Sequence, residues 1–469
     1  MKEKFMNGML IFAGKLQSNR YMAAIKDAFT DLMPIVIIGS FCTLFSNVIC
    51  STADGYLSLA NVPGLAFLSK LNPIFTAANY ACMNFMAVML VILVSIYLGN
   101  YYKFKGDLVL PLTSLGSFIA LCSTTQSTSL TGDIVTTLGK TIGLGEGDSI
   151  TASISNTLGS EYTNARGLFV AMIVGVLATE FYVKLVQSKK LEIKLPDSVP
   201  SNVAHGFSVL FPSAVVMLVV SLVGWLFETF MGLTVFAAIT KFIQAPLSNA
   251  LGGLPGYLVL LWASLLLWIF GIHGTQTLKA IYEAAYLSLF AENEAYFLAN
   301  GTTVGAPNII NTPFMSCFGT LTGAGCTGGL IIAIMLFSKR DDYKAIGKIA
   351  IPCGIFNINE PLTFGLPIVL NPLLAIPFMI TPLVNSAFAY FMTSIGFCGR
   401  MVVNAPWTTP PGIMAFLASG GNIGAAVTQL ICVAISAVIY TPFVLIANKQ
   451  PIEDEDYMND NDEGETQTA

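Results

Sequence analysis

Charged residues are scarce in this sequence. Only 10% of its 469 residues are Asp, Glu, Lys or Arg, against about 25% in ordinary soluble domains. Hydrophobic residues make up 54% of the chain, and the mean hydropathy is +0.71. This composition excludes an ordinary soluble enzyme and predicts an integral membrane protein.

Clustered metal ligands are also lacking. The chain has two histidines, His205 and His273, and its nine cysteines are scattered without a CxxC pair. Metal sites need several such ligands close together, so we predict no metal and no cofactor. The glycine-rich stretch TLTGAGCTGGL lacks the Lys-Ser/Thr ending of a phosphate-binding loop, and its small residues favour close helix packing.

Acidic residues are concentrated near the C-terminus. Residues 453–465 contain eight of them, and without these eight the chain has 22 basic and 19 acidic residues. A body so nearly balanced predicts no nucleic-acid partner. The acidic tail is predicted to be disordered and solvated, and docking of a partner is the alternative.

The spacing of apolar runs predicts ten membrane spans, each of about 20 residues. Five basic residues lie among the first 26, and further lysines lie in the linker after residue 185 and at 339–348. Because such residues mark the cytoplasmic side, both termini are predicted to be cytoplasmic. Between 273 and 318 the apolar pattern is interrupted by Glu283, Glu292 and Glu294, so a crossing there is inferred only from the flanking segments.

The predicted fold is an all-α polytopic membrane protein with about ten transmembrane helices, interfacial amphipathic helices and re-entrant hairpins. Most regular spans precede residue 235, whereas three proline-interrupted stretches follow it, at 306–314, 356–367 and 404–416. In transport proteins such stretches point to the substrate site. The predicted divisions are a cytoplasmic-surface segment (1–30), an N-terminal scaffold (31–233), an interfacial amphipathic helix (234–252), a C-terminal substrate-binding domain (253–447) and the tail (448–469).

The stretch FNINEPLTFGLP, residues 356–367, places the carboxylate of Glu360 among apolar neighbours. Ionisable groups at membrane depth are costly and usually face a cavity, a partner or a substrate. Pro361 and Gly365 disfavour a long unbroken helix, and irregular backbone at membrane depth needs cover from protein or water. Glu360 is therefore predicted to line a cavity.

His273 and two tryptophans are further candidates. His273 ends an apolar run and precedes Gly-Thr-Gln, although a helix-capping role is the ordinary alternative. Trp268 lies five residues earlier, and Trp407 lies in APWTTPP beside Thr408. Membrane tryptophans are ordinarily interfacial anchors, but sugars bind aromatic surfaces flanked by planar hydrogen-bonding groups. The set therefore favours a carbohydrate over an inorganic ion.

At these residues the chain resembles a known family. The segments FNINEPLTFGLPIVLNP, IHG at 272–274, NAPWTTPPG and LPDSVPSNVAHGFSVLFP are similar to those of enzyme IIC, the membrane permease component of the lactose/cellobiose group of bacterial sugar phosphotransferase systems. This group includes diacetylchitobiose permeases. The resemblance extends to about residue 450.

The resemblance implies a homodimer in the bacterial cell membrane that packs through its N-terminal domains. Each C-terminal domain would carry one β-linked disaccharide and move as a rigid body to alternate access. Glu360 and His273 match the family residues that bind the hydroxyl to be phosphorylated. Asn359 would hydrogen-bond beside Glu360, and Trp268 would contact a sugar ring.

The same resemblance implies that Trp407, with Thr408 beside it, contacts the sugar. The phosphoryl donor would be a separate IIB phosphocarrier protein, supplied through IIA, because only residues 448–469 follow the last predicted span. A base near the hydroxyl assists phosphoryl transfer, and whether Glu360 is that base or only positions the hydroxyl stays open.

Two other functions fit a lone acid at membrane depth. A proton-coupled secondary sugar transporter would use Glu360 as its proton carrier. A membrane enzyme acting on a lipid-linked sugar would use His273 with Glu360, but no metal or nucleophile motif accompanies them. The family segments favour the phosphotransferase permease, and they leave open which disaccharide it takes.

Overall fold

The computed structural model describes residues 19–52, 58–130, 150–193, 195–196, 199–366, 368 and 372–449. The α-helices are α1 Arg20–Leu44, α2 Asn72–Met83, α3 Met86–Tyr101, α4 Val109–Ala120, α5 Ser160–Thr163, α6 Leu168–Ser188, α7 Ser201–Ser208, α8 Leu210–Leu226, α9 Val235–Ile239, α10 Ala245–Gly252, α11 Leu254–Ile269, α12 Gly274–Asn300, α13 Thr312–Phe314, α14 Gly328–Phe337, α15 Asp341–Ile355, α16 Glu360–Gly365, α17 Pro372–Ser394, α18 Ile413–Ala418 and α19 Ile423–Ala447.

Shorter elements join or extend these helices. Turns of π-helix occur at Phe45–Cys50, Phe227–Met231, Thr240–Gln244 and Met315–Gly319, and 3-10 turns occur at Leu59–Asn61, Ala66–Leu71, Ala165–Gly167 and Ala324–Cys326. Two strands, β1 Thr125–Leu130 and β2 Ile150–Ser155, pair antiparallel with Thr125 opposite Ser155. The prediction of an all-α polytopic protein is confirmed, apart from this one hairpin within the described residues.

Five helical segments in the described part of the chain are long and apolar enough to cross a membrane. They are Arg20–Cys50, Ala165–Ser188, Val203–Met231, Leu373–Ser394 and Ile423–Ala447. Three further pairs of helices qualify together but are bent by 43°, 85° and 50°, which brings the number to eight. The count of ten spans therefore stays a prediction, as do the cytoplasmic termini.

Two predicted terminal segments lie largely outside the described residues, namely 1–18 and the acidic tail from 450 onward. Helix α1 begins at Arg20, where the Asn19 side chain accepts hydrogen bonds from the amides of Tyr21 and Met22 at 3.0 and 3.2 Å. Such a cap satisfies amides that the first helical turn leaves without partners. The helix then continues through residue 30, where the sequence suggested a boundary.

Buried apolar side chains form two large cores. One joins α1, α3, α4, α6 and α8, and the other joins α11, α14, α17 and α19. Helix α12 belongs to both, since Phe290 packs in the first core and Tyr286 in the second. The helix therefore lies at the boundary between the N-terminal and C-terminal halves, which we call the seam.

The acidic residues that interrupt the apolar pattern of α12 face protein. Glu283 and Glu294 are 2% and 3% exposed, and Glu292 accepts a hydrogen bond from the side chain of Asn308 at 2.9 Å. Carboxylates so covered do not meet lipid, which is the environment that makes them costly. This explains how a 27-residue helix forms where the sequence pattern was ambiguous.

Candidate functional site

A cavity of about 560 Å³ lies between α1 and the C-terminal half. Its walls come from α1, from the junction of α11 with α12, and from the interrupted stretches around residues 312–324, 357–360 and 404–407. Five of the six residues that the sequence nominated line it: Trp268, His273, Asn359, Glu360 and Trp407. Thr408 is the exception, because it is half-buried in the turn beside Trp407 and is not a lining residue.

Asn357 connects the interrupted stretches to one another. Its Oδ1 accepts a hydrogen bond from the amide of Thr322 at 2.7 Å. Its Nδ2 donates to the carbonyls of Trp407 and Thr409, both at 2.7 Å. The residue is buried and has a φ of 62°, in the left-handed region where asparagine is enriched. One side chain therefore sets the spacing of three segments of the cavity wall.

Asn359 holds the carboxylate beside it. Its backbone amide donates to Oε2 of Glu360 at 3.1 Å, and its side-chain Nδ2 donates to the carbonyl of Ala324 at 2.7 Å. Gly323 packs directly on this side chain, since a Cβ at its position would lie 2.4 Å from Cγ of Asn359. Asn359 therefore positions Glu360 through the backbone and the glycine-rich turn through its amide group.

Glu360 is the first residue of α16, and its side chain is exposed. The sequence suggested a carboxylate surrounded by apolar residues. Instead its apolar neighbours Leu362 and Leu366 point into the core, at 0% and 1% exposure, while the carboxylate faces the open cavity. The break in the helix before residue 360 makes this separation possible, and it removes most of the cost of burying the charge.

His273 both caps a helix and lines the cavity. It precedes α12, and its Nδ1 accepts from the amide of Gln276 at 3.4 Å and lies 3.1 Å from Oγ1 of Thr275. Because Nδ1 acts as an acceptor, the neutral imidazole has its proton on Nε2. The buried Trp268 packs against this ring, with centroids 4.3 Å apart. The capping interpretation and the functional one are therefore both compatible with the geometry.

Two charged residues of the cavity were not identified from the sequence. Lys279 and Glu283 lie one turn apart on α12, are 7% and 2% exposed, and both line the cavity. Nζ of Lys279 donates to Oγ1 of Thr30 on α1 at 3.5 Å. The sequence treated Glu283 only as an interruption, and nothing local to Lys279 distinguishes it from a solvated lysine.

The cavity thus combines carboxylate, ammonium, imidazole and amide groups with two indole rings. Within the described residues, no group of three or more His, Cys, Asp or Glu side chains is placed to hold a metal ion. Donors and acceptors of hydrogen bonds around aromatic surfaces suit a neutral ligand with many hydroxyl groups.

Comparison with known proteins assigns this chain to a family. The family model described as "Phosphotransferase system, EIIC" matches residues 26–382. The chain belongs to the phosphotransferase system EIIC family. The resemblance seen in the sequence is therefore confirmed.

Similar EIIC proteins match along nearly the whole chain. The PTS system cellobiose-specific EIIC component of Geobacillus stearothermophilus is 34% identical over 449 residues, which cover 94% of this chain and 93% of that protein. The oligo-beta-mannoside-specific EIIC component of Bacillus subtilis (strain 168) is 31% identical over 451 residues, with coverage of 96% and 94%.

The crystal structure of ChbC, the IIC component of the N,N'-diacetylchitobiose-specific phosphotransferase system, is similar in fold. The TM-score is 0.84 at 32% identity, with coverage of 95% of this chain and 98% of ChbC. This EIIC protein is accordingly a multi-pass membrane permease of a sugar phosphotransferase system, and it works with IIB and IIA partners. The family assignment favours this function over a proton-coupled transporter.

Proposed function

We propose that this EIIC protein binds a β-linked disaccharide of the cellobiose, diacetylchitobiose or lactose type in the 560 Å³ cavity. It moves the sugar into the cell and presents one hydroxyl to a separate IIB protein for phosphorylation. The observation that supports this most is the convergence of Glu360, His273, Asn359 and two tryptophans on one cavity.

The chemistry of phosphorylation explains the polar side of the cavity. A sugar hydroxyl loses its proton as phosphorus transfers to it, so an acceptor within hydrogen-bond reach lowers the barrier. The carboxylate of Glu360 is that acceptor, and the backbone amide of Asn359 keeps it oriented. The Nε2 proton of His273 is available to donate to a hydroxyl oxygen, since Nδ1 is engaged by the start of α12.

The aromatic side of the cavity explains how the sugar is held. Trp268 is 4% exposed and forms a fixed wall, whereas Trp407 is 55% exposed and offers its indole surface to a ligand. A sugar ring that covers Trp407 removes apolar surface from water on both partners, which favours binding.

Alternating access follows from which elements form the walls. Met33, Pro34 and Ile37 come from the part of α1 in the predicted scaffold, and Thr30 lies just before them on the same helix, whereas the remaining lining residues come from the predicted substrate-binding domain. A rigid-body displacement of the C-terminal domain past α1 changes which side of the membrane the cavity faces. We expect a homodimer that packs through the scaffolds, with both termini in the cytoplasm near the IIB protein.

Uptake into membrane vesicles tests the proposal. Labelled cellobiose is supplied to vesicles that contain the protein, with phosphoenolpyruvate and the soluble phosphotransferase proteins inside. The expected result is accumulation of phosphorylated sugar that stops when phosphoenolpyruvate is omitted. Uptake of unmodified sugar that ignores phosphoenolpyruvate and collapses with a protonophore would overturn the proposal. Diacetylchitobiose and lactose, supplied in parallel, identify the preferred disaccharide.

A further inference from the structure

A second cavity, of about 640 Å³, lies further along α12. Glu283 lines the substrate cavity, whereas Ser288 and Glu292 line the second one. Five residues separate Glu283 from Ser288, which corresponds to a rise of about 8 Å along a helix. The other walls come from residues 161–166 near the start of α6 and from residues 234–249. Like the first cavity, the second lies where the two halves of the chain meet.

We infer that this second cavity binds a neutral oligosaccharide, as a staging site on the path of the transported sugar. The inference rests on the proposed function for the class of sugar. Seven lining residues have neutral, non-aromatic side chains that can hydrogen-bond: Thr234, Thr240, Gln244, Ser248, Asn249, Ser288 and Asn308. Two acidic and two basic residues also line the cavity, so that its formal charge cancels: Glu161, Glu292, Arg166 and Lys241.

The charged side chains are available to a ligand. Within the described ranges, none of the ion pairs found at 4.0 Å or less involves Glu161, Arg166, Lys241 or Glu292. Unpaired carboxylates accept hydrogen bonds, and unpaired lysine and arginine donate them. Glu292 already accepts from the side chain of Asn308 at 2.9 Å, and its carboxylate has further lone pairs. Sugar hydroxyls both donate and accept, so one neutral ligand can hydrogen-bond with all four groups without adding charge.

A buried polar group points in the same direction. Oγ of Ser248 is buried without a hydrogen-bond partner in the described structure, a situation that costs about 1–3 kcal/mol. Nearby, Nε2 of the buried Gln244 donates to Oγ of Ser288 at 3.0 Å. This bond connects the stretch before α10 to α12 and fixes the amide at the cavity wall. A hydroxyl-rich ligand supplies the partner that Ser248 lacks.

The cavity also has an aromatic surface. The rings of Tyr162 and Phe236 meet edge to face, with centroids 4.8 Å apart and planes at 74°, and both residues are in the lining. Aromatic rings beside amides and hydroxyls are the combination that binds the apolar face and polar rim of a sugar. A zwitterionic lipid headgroup would use the charged residues but not the seven neutral ones, so the lining favours the sugar.

Protection of an introduced cysteine tests binding directly. The full-length protein receives Asn249→Cys at the exposed rim, in a Glu360→Gln background that disables phosphorylation. Its reaction with a maleimide is followed by mass spectrometry of the labelled peptide, which separates it from the nine native cysteines. We expect saturating cellobiose to slow the reaction about fivefold, since a bound ligand shields the rim in proportion to its occupancy.

Asn100→Cys is the matched control, because Asn100 is also exposed and lines neither cavity. Its reaction rate should not change with cellobiose. An unchanged rate at Asn249→Cys would overturn the proposal. Slowing by glycerophosphoethanolamine but not by cellobiose would overturn it too, and would assign the cavity to a lipid headgroup.

Transport kinetics test the staging role. The double variant Lys241→Met with Asn249→Leu should raise the KM of uptake about tenfold, the effect of losing about 1.4 kcal/mol of binding. The kcat of IIB-dependent phosphorylation in detergent should stay unchanged, since both residues lie outside the substrate cavity. An unchanged KM would overturn the staging role. Failure of the wild type to phosphorylate any disaccharide would instead refute the proposed function, whereas cysteine protection would still report on the second cavity.

Discussion

At the scale of single residues, Glu360 carries the most specific prediction. Its carboxylate is open to the cavity and is oriented by the amide of Asn359. Glu360→Gln keeps the size and the hydrogen bond but removes the negative charge and with it the proposed base. We expect phosphorylation-coupled uptake to fall by at least about 100-fold, the lower range for losing a general base, while the amount of protein in the membrane is unchanged.

Uptake of labelled disaccharide, normalised to membrane-inserted protein, measures this effect. Uptake near the wild-type level would contradict the assignment of Glu360. It would also remove the main reason for treating residues 356–367 as the centre of the site.

Trp407 is predicted to contribute binding rather than chemistry. Its indole is 55% exposed and would be covered by a sugar ring lying on it. Trp407→Ala should weaken sugar binding by about 1–3 kcal/mol, the scale of one buried aromatic contact. Calorimetry on purified protein measures the change. Trp225→Ala is the control, since Trp225 is 57% exposed and lies outside the substrate cavity. If Trp407→Ala binds the sugar as tightly as the wild type, Trp407 is an interfacial anchor instead.

Asn357 is predicted to act by positioning the cavity walls. Asn357→Gly removes three hydrogen bonds but keeps the left-handed backbone accessible, whereas Asn357→Ala removes the bonds and strains the backbone by about 1–2 kcal/mol. Both should lower the kcat of phosphorylation about tenfold or more, because Glu360 and Trp407 lose their relative placement. Both variants should lose thermal stability because they leave these hydrogen-bonding groups without a partner, and the alanine variant should lose more. A glycine variant with wild-type kcat would show that the side chain is dispensable.

The sequence nominated Glu360, His273 and the tryptophans because each is unusual within a charge-poor chain. Asn357 gave no such signal, since its partners lie 35, 50 and 52 residues away and polar loop residues are common. Lys279 and Glu283 were missed for a related reason. Their function depends on which cavity a helix face meets, and a pattern along one segment does not contain that information.

At the scale of elements, long apolar runs in the sequence predicted helices well, whereas segments with an interrupted apolar pattern were hard to assign. One of the ten predicted spans is the apolar run at 211–231, and it corresponds to α8 with its π-helical end, Leu210–Met231. Helix α12 was ambiguous because its glutamates are covered by protein partners that lie elsewhere in the chain. The hairpin of β1 and β2 lies in a Ser- and Thr-rich stretch, in which only β2 has the alternating apolar residues that indicate a strand, Ile150, Ala152 and Ile154.

The contact between α12 and α1 yields a prediction for this seam. Oε1 of the buried Glu294 accepts from Oγ1 of Thr43 at 2.6 Å and from Nδ2 of Asn79 at 3.3 Å. Thr43→Val keeps the shape but leaves the carboxylate short of a donor. We expect a loss of about 1–3 kcal/mol, measured as a lower midpoint of thermal unfolding in detergent.

Thr76→Val is the control for that measurement. Thr76 is exposed, and its hydroxyl donates to the carbonyls of Asn72 and Pro73 within its own helix. Its replacement should leave the midpoint nearly unchanged. Equal midpoints for Thr43→Val and the wild type would mean that the Glu294 network does not stabilise the seam.

At the scale of the whole molecule, both cavities lie along the seam between the two cores. The substrate cavity takes one wall from α1 and the rest from the C-terminal half, and α12 lines both cavities. A movement of one half past the other would therefore reshape both together. If the C-terminal half is to move relative to the membrane, the predicted scaffold has to keep its position in the membrane. Packing against a second copy of the chain would hold it there.

Helix α8 offers the surface for that packing. In the most apolar 18 residues of the segment Val203–Met231, which contains α8, only 17% of the residues are buried inside the protein. This is the smallest buried share among the five candidate spans. Leu218 and Leu222 are 69% and 51% exposed, whereas Val216 on the opposite face is fully buried. Since α8 belongs to the predicted scaffold, we expect this exposed face to meet the same face of a second copy.

Native mass spectrometry in mild detergent tests this arrangement. The wild type should have twice the chain mass of 50.1 kDa. Leu218→Ala with Leu222→Ala should raise the dissociation constant of the dimer at least about tenfold, since the interface loses apolar area on both copies. Leu177→Ala, on an equally apolar and 61% exposed position of α6, should leave it unchanged. A stable dimer that only Leu177→Ala weakens would place the interface on α6. A monomeric wild type would contradict the predicted dimer.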